Sequence, residues 1–200
     1  MTVVHLATED PLSEVVADRL VREAIPDVHI PPPLGRKGSG YLKANIAKFM
    51  EMARTYPVVL LTDLDTVACP PTLIGSWCKG RSVPDGLLFR VAVREVEAWL
   101  MADRAGFAAV TGIPRLKVPQ DVEGLDDPKE TLLGLVRRYA RKDVRADLLP
   151  TDPRRTARVG PGYNARLAAF VRDANGWDPA RAAENAGSLK RARTRLAALA

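Results

Sequence analysis

Val58-Val59-Leu60-Leu61-Thr62 is an unbroken apolar run closed at once by Asp63-Leu64-Asp65, and no other stretch restricts the fold as much. A strand that is apolar at successive positions has to be covered on both faces, the condition met in a parallel sheet between helices. If the extended backbone persists, Asp63 and Asp65 point the same way. Carboxylates so close repel each other, and a hard divalent cation with oxygen ligands removes the conflict. The plainer reading is that Asp65, before Thr66, ends the strand and caps a following helix.

The neighbouring segments supply the rest of a sheet. Val3-Val4-His5-Leu6-Ala7 is a short apolar run ending in Thr8-Glu9-Asp10-Pro11, and apolar positions 12, 15, 16 and 20 then follow a helical period. Proline is well placed at such a helix start, where its missing N–H has no intrahelical partner. Val28-His29-Ile30 is expected as a second strand, running into a loop with Pro31-Pro32-Pro33 and Gly35, Gly38 and Gly40. Tyr41 to Tyr56 returns to helical spacing, Leu87 to Val93 reads as a fourth strand, and Arg94 to Ala105 as a helix. The alternation predicts an α/β fold, a four-stranded parallel, Rossmann-like sheet flanked by helices over residues 1–110. Residues 111–200 are expected to form a helical, basic C-terminal extension, with helices at Lys129 to Lys142, Tyr163 to Ala174 and Ser188 to Leu199.

In parallel sheets, ligands collect beyond the carboxyl ends of the strands. Glu9, Asp63 and Asp65 are all expected there if the strands preceding them are neighbours. Glu9 or Asp10 could equally complement the N-terminus of the first helix. Glu97 is the candidate for a fourth carboxylate, with Glu95 as second choice, because the two lie about 200° apart on a helix and cannot share a face. Mg²⁺ or Mn²⁺ is the cofactor this set suits.

Charge points to a partner. The formal net charge is +6, and all of the excess lies in the last fifty residues, with 10 Lys/Arg against 4 Asp/Glu. A basic tail of this kind is the footprint of a phosphate-bearing polymer, or else a solvated arginine-rich helix surface. Candidate phosphate contacts are Arg36, Lys37 and Lys43 at the glycine-bearing loop, and Arg154, Arg155 and Arg158 before Gly160-Pro161-Gly162. Nothing suggests base reading, so nucleic-acid binding is expected to be led by the backbone and sensitive to salt. Two cysteines without ligand spacing and two histidines argue against zinc. The apolar runs fall short of a membrane span and the N-terminus reads as a strand instead of a signal peptide, so a cytoplasmic protein is expected.

With Thr8-Glu9-Asp10 after the first strand and Thr62-Asp63-Leu64-Asp65 after a buried one, the chain resembles the TOPRIM fold of topoisomerases, primases and overcoming-lysogenization-defect (OLD) nucleases. Val91 to Asp103, with Glu97-Ala98-Trp99-Leu100, and Gly187-Ser188-Leu189-Lys190-Arg191 are similar to segments of an uncharacterised bacterial TOPRIM-like family. TOPRIM proteins usually place glycine after the glutamate, where this chain has Asp10-Pro11. The resemblance implies metal-dependent phosphodiester cleavage, with links to phage defence. Glu9 would be general base or metal ligand, Asp63 and Asp65 would hold Mg²⁺, and Glu97 would serve a second metal position. OLD nucleases carry an ATPase in the same chain, so an ATPase partner is a further expectation.

Two other function classes fit the same residues. A haloacid-dehalogenase-like phosphatase would use Asp63 as nucleophile and Asp65 as acid/base, but it needs a later acidic pair. Asp126-Asp127, behind a poor strand, is the only nearby choice. A non-catalytic binding or accessory module would keep the fold without turnover.

Overall fold

The computed structural model describes residues 2–151 and 157–199. The chain divides into two compact units, Met1–Val96 with Lys190–Ala200, and Glu97–Leu189.

The first unit is α/β. Its strands are β1 (His5–Thr8), β2 (Val58–Asp63) and β3 (Leu87–Ala92), with α1 (Pro11–Ala24), α2 (Gly38–Met52) and α3 (Pro70–Cys78) between them. The strands are parallel in the order β1-β2-β3, and the register sets Thr8 beside Leu61 and Leu61 beside Arg90. All six residues of β2 are buried, as its continuous apolar run requires. On one face Ala7, Val58, Leu60, Leu87, Phe89 and Val91 share a core with Leu42, Ile46 and Phe49 of α2 and with Leu73 and Trp77 of α3. The helix α1 packs on β1 and β2 and buries Leu12, Val15, Val16 and Leu20.

The sheet has three strands, not the expected four. Val28-His29-Ile30 contributes a single parallel bridge, His29 with Val3. Here the His29 N–H donates to Thr2 O at 2.9 Å and the Val4 N–H to His29 O at 3.0 Å. Proline at 26 and at 31–33 removes the donors that would prolong the ladder. The loop nevertheless keeps covering the outer edge of β1. The Leu34, Arg36 and Gly38 N–H groups donate to Leu6 O at 2.7 Å, Thr8 O at 2.9 Å and Glu9 O at 3.0 Å. Gly35 is needed for this approach, since a Cβ there would lie 2.2 Å from Thr8 O.

The second unit is helical. It contains most of α4 (Val96–Ala102), then α5 (Arg104–Thr111), a 3₁₀ turn (Arg115–Lys117), α6 (Pro128–Tyr139), α7 (Lys142–Leu148), α8 (Tyr163–Arg172), α9 (Pro179–Ala183) and the start of α10 (Gly187–Ala197). Trp99 and Trp177 are fully buried, and both indoles are satisfied. Trp177 Nε1 donates to Trp99 O at 3.0 Å, and Trp99 Nε1 donates to Ser188 Oγ at 2.7 Å. Asp103 is a buried junction: it accepts from Gly106 N, Asp178 N and two nitrogens of Arg181 at 2.8–3.0 Å. No helix among the described residues is long and apolar enough to cross a membrane.

Candidate functional site

Pairing of β1 with β2 brings Glu9 to the end of the central strand. Glu9 Oε1 accepts from the Thr62 hydroxyl and, at 2.9 Å, from the Asp63 N–H. Burial pushes the Glu9 carboxyl above its ordinary range, and the negative charges of Asp65 and Asp10 push it further. The two hydrogen bonds from Thr62 and Asp63 act in the opposite direction. Neither Glu9 nor Asp65 has an ion-pair partner among the described residues.

The three acidic positions nearest β1 and β2 have separate tasks. Asp10 is the N-cap of α1, its Oδ1 accepting from Ser13 N at 2.8 Å with Pro11 in the first turn. It occupies the position after Glu9 where TOPRIM sequences have glycine. Asp63 is 8% exposed, and its Oδ1 accepts from the Val96 N–H at 2.9 Å. The capping expected of Asp65 is not seen, since α3 has Cys69 at its N-cap, and it is Asp63 that accepts from the start of α4. Asp65 is exposed and left-handed, with φ 49°. The backbone turns at Asp65, so the alternation that would aim it alongside Asp63 ends there.

Arg94, also left-handed at φ 62°, holds that turn. The Asp65 N–H donates to Arg94 O at 3.0 Å, and Arg94 Nη1 donates back to Asp65 O at 2.9 Å. The Arg94 guanidinium also reaches Val67 O at 3.4 Å. For Thr62 the sequence offers only the hint of a hydroxyl just before the acidic pair. Arg94 reads from the sequence as a phosphate contact or, more plainly, a surface salt bridge, whereas its guanidinium reaches the carbonyls of Asp65 and Val67.

Glu97 opens the second unit and is 2% exposed. Its Oε1 accepts from Tyr163 Oη at 2.8 Å and pairs with Lys129 Nζ at 3.2 Å, while Oε2 is buried without a hydrogen-bond partner. Glu95 precedes α4 and does not lie on it. Asp127, the later acid required by the phosphatase reading, caps α6 by accepting from Glu130 N at 2.8 Å.

The expected phosphate contacts are dispersed. Arg36 forms a two-pronged pair with Glu14 on α1. Lys37 lies over the Tyr41 ring, 5.3 Å from its centroid. Lys43 is exposed and lines a hollow of about 380 Å³ with Lys79 and Arg81. Arg158 is exposed, and Arg154 and Arg155 lie outside the described residues.

Among the described residues no three His, Cys, Asp or Glu side chains converge as a ready metal cage. The donor set at β1 and β2 is still all oxygen, and its Glu9 and Asp65 carboxylates have no ion-pair partner among the described residues, which suits an ion held by one or two carboxylates with water and substrate phosphate. No protein-family model, curated protein or solved structure matches this chain.

Proposed function

We propose that the chain is a Mg²⁺- or Mn²⁺-dependent hydrolase of nucleic-acid phosphodiesters, with its reaction centre at the ends of β1 and β2. The observation that carries this reading is the Glu9 carboxylate, anchored on β2 by Thr62 and Asp63, its pKa pushed up by burial and by the charge of Asp65, and without an ion-pair partner among the described residues. Glu9 and Asp65 would hold the ion. Asp63, committed through Oδ1 to the start of α4, would fix the turn that presents Asp65. A bound divalent ion supplies a water of lowered pKa and polarises the phosphoryl oxygen. Thr62 and the Asp63 N–H keep Glu9 aimed, and Arg94 keeps the Asp65 turn closed. The resemblance to TOPRIM nucleases agrees with this reading, and a role in phage defence beside an ATPase partner belongs to the same proposal.

The phosphatase alternative is less well supported. It requires Asp63 as an accessible nucleophile, whereas Asp63 is nearly buried and occupied at Val96. The deciding experiment incubates the protein with labelled plasmid, single-stranded DNA and RNA in Mg²⁺ or Mn²⁺. Cleavage that disappears in Asp65→Asn and in EDTA is the expected result. Turnover of a generic phosphate monoester with intact nucleic acid would transfer the assignment to the phosphatase, and binding without turnover would favour an accessory module.

A further inference from the structure

Among the described residues, four arginines of the first unit pair with acids. Arg22 pairs with Asp18, Arg36 with Glu14, Arg54 with Glu51 and Arg193 with Glu23. A group of four cations is an exception. Arg90 on β3 lines a hollow of about 480 Å³ with Lys190, Arg191, Thr194 and Arg195 of α10. None of the four cations forms an ion pair with an acid among the described residues. Asp85 shares an adjoining hollow with Arg195 but makes no ion pair with it.

This arrangement is costly for a chain with nothing to bind. Arg90 is half-buried, and its Nε is buried without a hydrogen-bond partner. Burial lowers the affinity of its guanidinium for its proton, and the like charges of Arg195 and Arg191 lower it further. An unpaired buried donor beside like charges is destabilising, and an anion entering the hollow would relieve the repulsion.

We propose that Arg90, Lys190, Arg191 and Arg195 form an anion site that takes phosphates of a nucleic-acid backbone. Lys190, Arg191 and Arg195 are all exposed on α10, while Ala192 and Leu196 of the same helix are buried, so the cations share the accessible side. Arg191 and Arg195 are one turn apart, about 5–6 Å between Cβ atoms, which lets them meet neighbouring phosphates of one strand. A single carboxylate would leave most of the four cations uncompensated, whereas the regularly spaced charges of a phosphate backbone can meet several of them. The site also accounts for part of the basic excess of the last fifty residues. The choice of nucleic acid among phosphorylated ligands rests on the proposed hydrolase reading, whereas the anion site rests on its own geometry.

The test is fluorescence anisotropy of labelled single-stranded and duplex oligonucleotides in EDTA, at several salt concentrations. Arg191→Ala/Arg195→Ala changes two exposed positions and spares the core; it should weaken binding at least tenfold. Its dependence of log affinity on log salt should be shallower by about 1.5, the loss of two phosphate contacts. Arg191→Lys/Arg195→Lys keeps both charges and should retain the wild-type salt slope. Unchanged affinity and salt slope in the alanine variant would overturn the proposal. So would wild type that binds anionic phospholipid vesicles but no oligonucleotide. Because the readout needs no turnover, the two readings fail separately. Binding that depends on Arg191 and Arg195, without cleavage by any variant, would sink the hydrolase and leave the site. Cleavage with undiminished binding in the alanine variant would sink the site and leave the hydrolase.

Discussion

Asp65 and Arg94 are hydrogen-bonded to each other in both directions, and each has a left-handed backbone. Aspartate tolerates that region because its short polar side chain can bond locally, whereas arginine is held there at a cost of about 1–2 kcal/mol. The cost is offset by fixing the turn after β2, from Asp65 to Val67, through one guanidinium.

The first prediction separates the backbone of Arg94 from its side chain. Arg94→Gly relieves the left-handed strain and Arg94→Ala does not, yet both lose the guanidinium that closes the turn. Both should weaken Mn²⁺ binding by about 10-fold or more, the usual effect of removing a group that orients a ligand. Glycine should unfold at the higher temperature of the two. Mn²⁺ titration followed by paramagnetic resonance, paired with thermal melts, measures both. Wild-type Mn²⁺ affinity in Arg94→Ala would show that the turn needs no clamp.

Glu9 gives a pH-dependent prediction. Its carboxyl is raised in the folded state, so folding favours the protonated form. The associated stability is complete below the unfolded value of about 4.3 and is lost as pH rises through the higher folded value. Glu9→Gln keeps an oxygen for Thr62 and the Asp63 N–H but carries no charge. In EDTA at neutral pH it should melt above wild type, and the gain should vanish below about pH 4. Mg²⁺ should raise the melting temperature of wild type and leave Glu9→Gln unmoved. A variant less stable than wild type at neutral pH would mean that the Glu9 charge is already compensated.

What was legible in the sequence follows from how local each signal is. The apolar run of β2 declares its burial residue by residue, and the expected gathering of Glu9, Asp63 and Asp65 at one sheet end depends on β1 and β2 being neighbours, as they are. The three-residue segment at His29 had the composition of a strand, but its surrounding prolines leave too few donors for a ladder. Local pattern points to Asp65 as a helix cap, but the backbone turns at Asp65 and α3 starts only after Cys69. That turn is set by Arg94, twenty-nine residues further on than Asp65. The partners of Glu97 are likewise distant in sequence, Tyr163 by sixty-six residues.

Gly35 tests the covered edge of β1. Any Cβ at this position meets the carbonyl oxygen of Thr8, a backbone atom that cannot swing aside. Gly35→Ala should cost about 1–3 kcal/mol, the range for forced overpacking. The damage should appear first as faster hydrogen exchange at Arg36 and Gly38, whose N–H groups donate to Thr8 and Glu9. Protection equal to wild type at those two amides would show that the loop holds without close approach.

The second unit offers a stability test independent of any activity. Asp103 is buried and accepts four hydrogen bonds, two from backbone N–H groups and two from the Arg181 fork. Asp103→Ala orphans the Gly106 and Asp178 amides and leaves Arg181 with Asp178 alone, a loss of about 2 kcal/mol or more from the unsatisfied donors. Arg181→Ala should cost less, because Arg181 is 47% exposed and Asp103 keeps its two amide donors. Asp103→Asn retains an acceptor oxygen, so it should fall between the two. Urea melts of the three variants check the order. Equal losses for Asp103→Ala and Arg181→Ala would show that the ion pair, and not the capping of the two amides, dominates at this junction.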